Sequence, residues 1–184
     1  MKILPTELPE VLIIEPDIYR DVRGWFFETY HVQKYRDGGI PLSFVQDNCS
    51  SSVCGVLRGL HAQMTRPQGK LVRALKGEIF DVAVDIRKGS PTFCSWVGVS
   101  LKAENYKQLY IPPGFAHGFC VLTDIAEVEY KCTDVYVPGD EMTIRWNDST
   151  VGINWPLESP MLSPKDAAGQ TVEELWDKLP DYHV

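Results

Sequence analysis

From about residue 43 to residue 146 the chain runs in short segments of β-branched and aromatic residues broken by turn residues every eight to twelve positions, the pattern of a β-sandwich or barrel. The strands this pattern predicts are Lys70–Ala74, Ile79–Ile86, Phe93–Leu101, Gln108–Ile111, Gly118–Leu122, Ala126–Thr133 and Met142–Trp146. In Ile79–Ile86, Phe80, Val82, Val84 and Ile86 alternate with Asp81 and Asp85, which predicts one face on a core and the other in polar surroundings. Turn chemistry falls at Lys76-Gly77, Lys88-Gly-Ser-Pro91, Pro112-Pro-Gly114 and Pro138-Gly-Asp140. A helical pattern is confined to His31–Asp37, Ala103–Asn105 and Thr171–Leu179. The chain therefore reads as all-β, and with no repeat or low-complexity linker its 184 residues predict a single domain, residues 1–184.

Composition narrows the classes of function. A hydrophobic fraction of 44% supplies a core and excludes disorder. With 18 Lys and Arg against 25 Asp and Glu, and no run of like charge, the net charge of -7 argues against a nucleic-acid binder. An anionic ligand then requires a locally basic pocket. The N-terminal apolar patch is only Val11–Ile14, and no stretch has the length of a membrane span, so a cytoplasmic protein with no membrane partner is expected. Five cysteines, an odd number without a C-x-x-C pair, predict reduced thiols.

Two of the four histidines, His61 and His117, sit in segments built around them. A strand histidine taken alone is an ordinary packing residue. Here Gly55 precedes His61 by six positions, and Pro112-x-Gly114-x-x-His117 follows much later; together they resemble the two signature halves of the cupin superfamily, a small jelly-roll barrel. Metal-binding cupins carry a second His two residues after the first, and a Glu soon after. Gln63 stands at that position, and no Glu occurs from Ala62 to Gly77. A neutral amide is a poor replacement for imidazole on a transition metal, so no metal is expected.

A narrower resemblance spans almost the whole chain. Asp21-Val-Arg-Gly-Trp-Phe-Phe-Glu28, Gln46-Asp-Asn48, Leu57-Arg-Gly-Leu-His61, Gln68-Gly-Lys-Leu-Val72, Gly77–Asp85, Pro113–Phe119, Tyr130-Lys-Cys-Thr-Asp134, Arg145-Trp-Asn-Asp148, Ile153-Asn-Trp-Pro156 and Leu162-Ser-Pro-Lys-Asp166 occur in this order and resemble the dTDP-4-dehydrorhamnose 3,5-epimerase family. The resemblance implies a cofactor-free epimerase acting on a nucleotide-linked 4-keto-6-deoxy sugar. It also implies a cupin-type jelly roll and a homodimer, in which the segment of about residues 1–40 contributes to the partner subunit and the tail of about 150–184 packs on the barrel. Its implied catalytic set is His61 as base, Asp166 as the carboxylate behind it, Lys70 near the ketone oxygen and Tyr130 as acid. A ketone at carbon 4 acidifies carbons 3 and 5, so inversion needs a base on one face, an acid on the other and a donor at the oxygen. Arg58 and His117 are implied to meet the diphosphate and Tyr136 to stack on the base. Arg23, Glu28, Gln46, Asn48, Glu141 and Lys165 match further substrate-contacting positions, with Arg23 and Glu28 reaching across from the partner.

Three positions depart from the family pattern: Ala62, Cys49 and Val135 stand where aromatic, histidine and aromatic residues are usual. Ala62 is expected to enlarge the space beside the base. Three alternatives stay open on sequence: an epimerase inverting carbon 3 or carbon 5 alone, a non-catalytic sugar-binding jelly roll, and a metal-dependent cupin oxygenase.

Overall fold

The computed structural model describes residues 1–183. Its strands, numbered in chain order, are β1 (Lys2–Pro5), β2 (Leu12–Glu15), β3 (Tyr19–Asp21), β4 (Gly24–Phe26), β5 (Gln46–Val53), β6 (Leu57–Gln63) and β7 (Lys70–Lys76). They continue with β8 (Glu78–Asp85), β9 (Trp96–Lys102), β10 (Gln108–Ile111), β11 (Phe115–Val121), β12 (Ile125–Cys132) and β13 (Glu141–Thr143). Two antiparallel sheets result, in the orders β1-β2-β10-β7-β12-β5 and β13-β6-β11-β8-β9, with β3 and β4 as a separate hairpin. The fold is the expected all-β jelly roll, two sheets facing one another around a shared interior.

Strand alternation divides the apolar residues into three layers. Val72, Ala74, Ile79, Ala83, Leu109, Phe115, Phe119 and Val128 fill the space between the sheets. Leu60, Val82, Val84, Ile86, Ala116 and Ile144 point outward from the five-stranded sheet and are covered by Val151, Val172, Leu175 and Leu179 of the C-terminal tail. Ile14, Leu71 and Tyr110 on the outer face of the six-stranded sheet are covered by Tyr35 and Ile40 from the helix α1 (Val32–Asp37) and the residues after it. The strand β8 thus has no wet face: Asp81 and Asp85 are as buried as their apolar neighbours. Polar partners stand in for the expected polar surroundings. Asp85 accepts hydrogen bonds from Arg87, Ser90 and Thr92, and Asp81 bonds His117.

The helix expected over Thr171–Leu179 is a series of tight turns ending in a 3-10 turn at Trp176–Lys178. Its apolar spacing marks the face that packs on the sheet. The Glu174 carboxylate takes the Thr171 amide and hydroxyl, and Pro180 follows the last turn, so the segment tightens instead of extending as an α-helix. Of the strands not read from the sequence, β1 to β6, the strands β5 and β6 complete the wall of the barrel. At Gly59 in β6 the backbone has φ +116 and passes so close to β11 that a Cβ would lie 2.5 Å from the Gly118 Cα, a position only glycine fills.

Asp148, 3% exposed, ties the tail to the barrel: its Oδ1 accepts the amides of Thr150 and Val151, and its Oδ2 that of Val172. Replacing Asp148 with Ala strands buried amides, so urea denaturation of D148A should show a loss of roughly 1–3 kcal/mol. A loss below about 0.5 kcal/mol, the range of a neutral surface change, would show that the tail is held otherwise.

Candidate active site

The polar end of the barrel interior encloses a cavity of about 610 Å³. Its walls follow from which strand residues point inward. Gln46 and Asn48 come from β5, Arg58 and His61 from β6, Lys70 from β7, His117 from β11 and Tyr130 from β12, while Tyr136, Glu141, Lys165 and Asp166 close its rim. Every residue expected at the site lies here except Arg23 and Glu28, which line no part of it. Arg23 sits on the β3–β4 turn, ion-paired to Asp21, and Glu28 pairs with Lys34.

His61 and His117 are opposite one another on paired strands, and each is backed by a carboxylate. His61 Nε2 is 2.5 Å from Asp166 Oδ1, across 105 residues of sequence. Asp166 is 3% exposed, not a surface acid. A one-turn helix, α2 (Pro164–Ala167), presents it: Ser163 caps the turn and its hydroxyl donates to Asp166 Oδ2 at 2.8 Å. Ser163 was missed as a site residue, although a cap serine followed by proline is a helix-start signal. Burial alone would raise the Asp166 pKa, but the hydrogen bonds from His61 and Ser163 outweigh it and hold the carboxyl below its ordinary value. Burial pushes His61 below the usual imidazole value, and Asp166 offsets this only in part. With Nε2 held by Asp166, Nδ1 is the nitrogen left for a substrate, 3.5 Å from Glu141 Oε1. Glu141 is itself ion-paired to Lys165.

The facing sheet brings Tyr130 and Lys70. Burial raises the Tyr130 phenol above its ordinary value and lowers the Lys70 ammonium, the latter opposed by Cys132 and Asp81. His117 is 2.7 Å from Asp81 Oδ1 through Nε2, and burial lowers its pKa more than Asp81 raises it. Arg58 Nε donates to Ser52 Oγ at 3.0 Å. Tyr136 is 47% exposed at the mouth, its amide bonded to Gln46 Oε1.

Gln63 is turned to the backbone: its Nε2 donates to the Arg66 and Val135 carbonyls and its Oε1 accepts the Val137 amide. Among the described residues no group of three or more His, Cys, Asp or Glu side chains is arranged to hold a metal ion. The expectation that Ala62 widens the pocket is corrected. Ala62 points outward and packs under the C-terminal tail, as alternation from the inward His61 requires. Cys49, exposed on β5, and Val135 also lie outside the cavity wall.

A basic imidazole on one wall and a neutral phenol on the opposite wall define a class: isomerases that lift a proton from one face of a carbon and return one to the other. The chain belongs to the dTDP-4-dehydrorhamnose 3,5-epimerase family, whose model matches residues 5–174. The Shigella flexneri and Methanothermobacter thermautotrophicus dTDP-4-dehydrorhamnose 3,5-epimerases are 54% and 49% identical over 92% and 94% of this chain and 95% of each relative. The chain spans 52% of the length of a Neisseria gonorrhoeae relative of 55% identity, with 93% of this chain covered. Among solved structures, the Legionella pneumophila dTDP-6-deoxy-D-glucose-3,5-epimerase in complex with dTDP-4-keto-L-rhamnose is 52% identical, with TM-score 0.96 over 100% of this chain and 99% of that one. A 3'-monoepimerase from Streptomyces bikiniensis in complex with dTDP-quinovose is 33% identical, with TM-score 0.90 over 97% and 93%.

The pKa directions fix the sign of one pH effect. A base with a lowered pKa is neutral at pH 7, so kcat should rise with pH through a midpoint below the ordinary histidine value of 6.5 and stay level until Lys70 or Tyr130 loses its proton at alkaline pH. Asp166→Asn removes the group that raises His61, so the midpoint should move further toward acid and kcat should fall by about 10²–10⁴-fold. A pH–rate profile checks both; an unchanged midpoint would mean that Asp166 does not act on His61.

Proposed function

We propose that this chain inverts carbons 3 and 5 of dTDP-4-dehydro-6-deoxy-D-glucose to give dTDP-4-dehydro-L-rhamnose, in nucleotide-sugar biosynthesis, by proton transfer through an enolate and without a cofactor. The observation that carries the reading is the placement of His61, backed by Asp166, on one sheet and of Tyr130 on the sheet that faces it. His61 Nδ1 takes the proton from the carbon next to the ketone. Lys70 stabilises the oxygen of the resulting enolate, and Tyr130 returns a proton to the opposite face. Arg58 and His117 hold the diphosphate, Tyr136 stacks on the thymine, and Gln46, Asn48, Glu141 and Lys165 complete the grip. Above half identity to several 3,5-epimerases, against 33% to the monoepimerase, favours inversion of both carbons. The single-carbon reading stays second because a monoepimerase shares the fold at TM-score 0.90.

The same reading includes a single-domain protein of the cytoplasm that works as a homodimer, with Arg23 and Glu28 reaching the partner's cavity. Support for the dimer comes from the β3–β4 hairpin, which exposes Tyr19, Val22, Trp25 and Phe26 around Arg23, an apolar patch of the kind that marks an interface. No helix among the described residues is long and apolar enough to cross a membrane.

Proton NMR of dTDP-4-keto-6-deoxyglucose with the protein in deuterated water, a chelator present, tests the chemistry. Deuterium should enter at carbons 3 and 5. Entry at one carbon alone would select the monoepimerase, and none would leave a binding protein. Tyr130→Phe should keep deuterium exchange at the substrate while product formation falls by about 10²–10⁴-fold, since only the acid is removed. For the dimer, sedimentation at micromolar concentration should give twice the 20.8 kDa chain mass, and a monomer would leave Arg23 and Glu28 without a cavity to reach.

A further inference from the structure

His117 on the cavity wall belongs to a second histidine–carboxylate pair that the proton transfers above do not use, its carboxylate lying behind the wall. Asp81 on β8 is fully buried; its Oδ1 is 2.7 Å from His117 Nε2, and its Oδ2 has no hydrogen-bond partner. A buried carboxylate half without partners is costly unless positive charge is held nearby. Since Asp81 accepts from Nε2, that nitrogen carries the hydrogen, and Nδ1 of a neutral His117 offers a lone pair. A lone pair repels a phosphate oxygen; a second N–H would bond it.

The groups around His117 decide its charge before a ligand arrives. Asp81 faces it from β8, Arg58 and His61 from β6, Lys70 from β7 and Tyr130 from β12. Burial disfavours the imidazolium most, Lys70 and His61 add to this, and Asp81 opposes them without prevailing. In the empty cavity His117 is therefore neutral at neutral pH. A diphosphate adds negative charge beside it and reverses that balance.

Given the nucleotide-sugar reading, on which this rests, we propose that Asp81 is a positioning residue that makes His117 a proton-coupled diphosphate clamp: substrate binding draws one proton from solvent onto His117 Nδ1, with Asp81 as the buried counterion. The proton stays on Nδ1 while the diphosphate is bound and returns to solvent on release, so the clamp neither gives to nor takes from the sugar.

Calorimetry with dTDP-glucose tests this, because that ligand lacks the ketone and its diester phosphates do not titrate near neutrality. At about pH 7, binding heats in buffers of different ionisation enthalpy should report net proton uptake, up to about one proton per site. Asp81→Asn should reduce the uptake to near zero and weaken binding roughly tenfold to a hundredfold, whereas His61→Asn should keep the uptake. Wild-type binding without uptake, or equal uptake by D81N, would overturn the clamp alone; no binding by the wild type would overturn the nucleotide-sugar reading with it. Should D81N not fold, nitrogen NMR of isotope-labelled histidines in the wild type decides: Nδ1 of His117, assigned with His117→Gln, should change from unprotonated to protonated when dTDP-glucose is added, and an unchanged signal overturns the proposal.

Discussion

The hydrogen bond between His61 and Asp166 joins residues 105 positions apart, and much else must be in place for it to form. Asp166 reaches the cavity only because the C-terminal tail lies across the outer face of the five-stranded sheet, where Val151, Val172, Leu175 and Leu179 cover Val82, Val84 and Ile144. Val56 and Met161 pair as parallel chains just before the Ser163–Asp166 turn, and Ile144 and Gln170 do so just after it, which sets the register of that turn against β6. The same packing that stabilises the barrel from outside therefore orients the imidazole inside it.

Desolvation does the second part of the work. The barrel interior is apolar at one end and polar at the other, so ionisable groups enter it under a burial penalty that they cannot all meet in the same way. His61 and Lys70 lose charge affinity, Tyr130 holds its proton more firmly, and Asp166 is kept ionised by its donors. The shifts of His61, Tyr130 and Asp166 keep the imidazole neutral, the phenol protonated and the carboxyl ionised, as the proposed base, acid and orienting carboxylate require, whereas burial works against the Lys70 charge and only Cys132 and Asp81 oppose that loss.

Much of this was legible in the sequence where side-chain chemistry is local. Alternation marked β8, β12 and the strands around them, and the family motifs carried most of the cavity wall. What escaped notice did so for physical reasons. The strand β5 reads Gln-Asp-Asn-Cys-Ser-Ser-Ser-Val, whose low β-propensity hides a strand held by its partner β12 and by inward polar contacts. The strand β6 contains Gly59, which suggests a break until its close approach to β11 is seen. Alternation placed Asp81 in polar surroundings without showing where those lie, because it tells which residues share a face, not what covers that face; here the opposite sheet does. Ala62 was assigned to the pocket by adjacency to His61, though neighbours on a strand point to opposite sides.

An acidic protein with a cavity for an anion needs its charges sorted, and the pairing inside the cavity does this. The net charge of -7 belongs to the whole chain, while each rim carboxylate is spent on a specific partner: Glu141 on Lys165 and Asp166 on His61. Arg58 bonds only a hydroxyl and a carbonyl, so its charge is uncompensated, and Lys70 has no ion-pair or hydrogen-bond partner among the described residues. Arg58, exposed at the cavity wall, and the half-buried Lys70 place positive charge beside the cavity that acids farther off, screened by solvent, do not cancel at this range. Asp81 tempers that field from behind the wall, where it can balance positive charge without meeting the ligand.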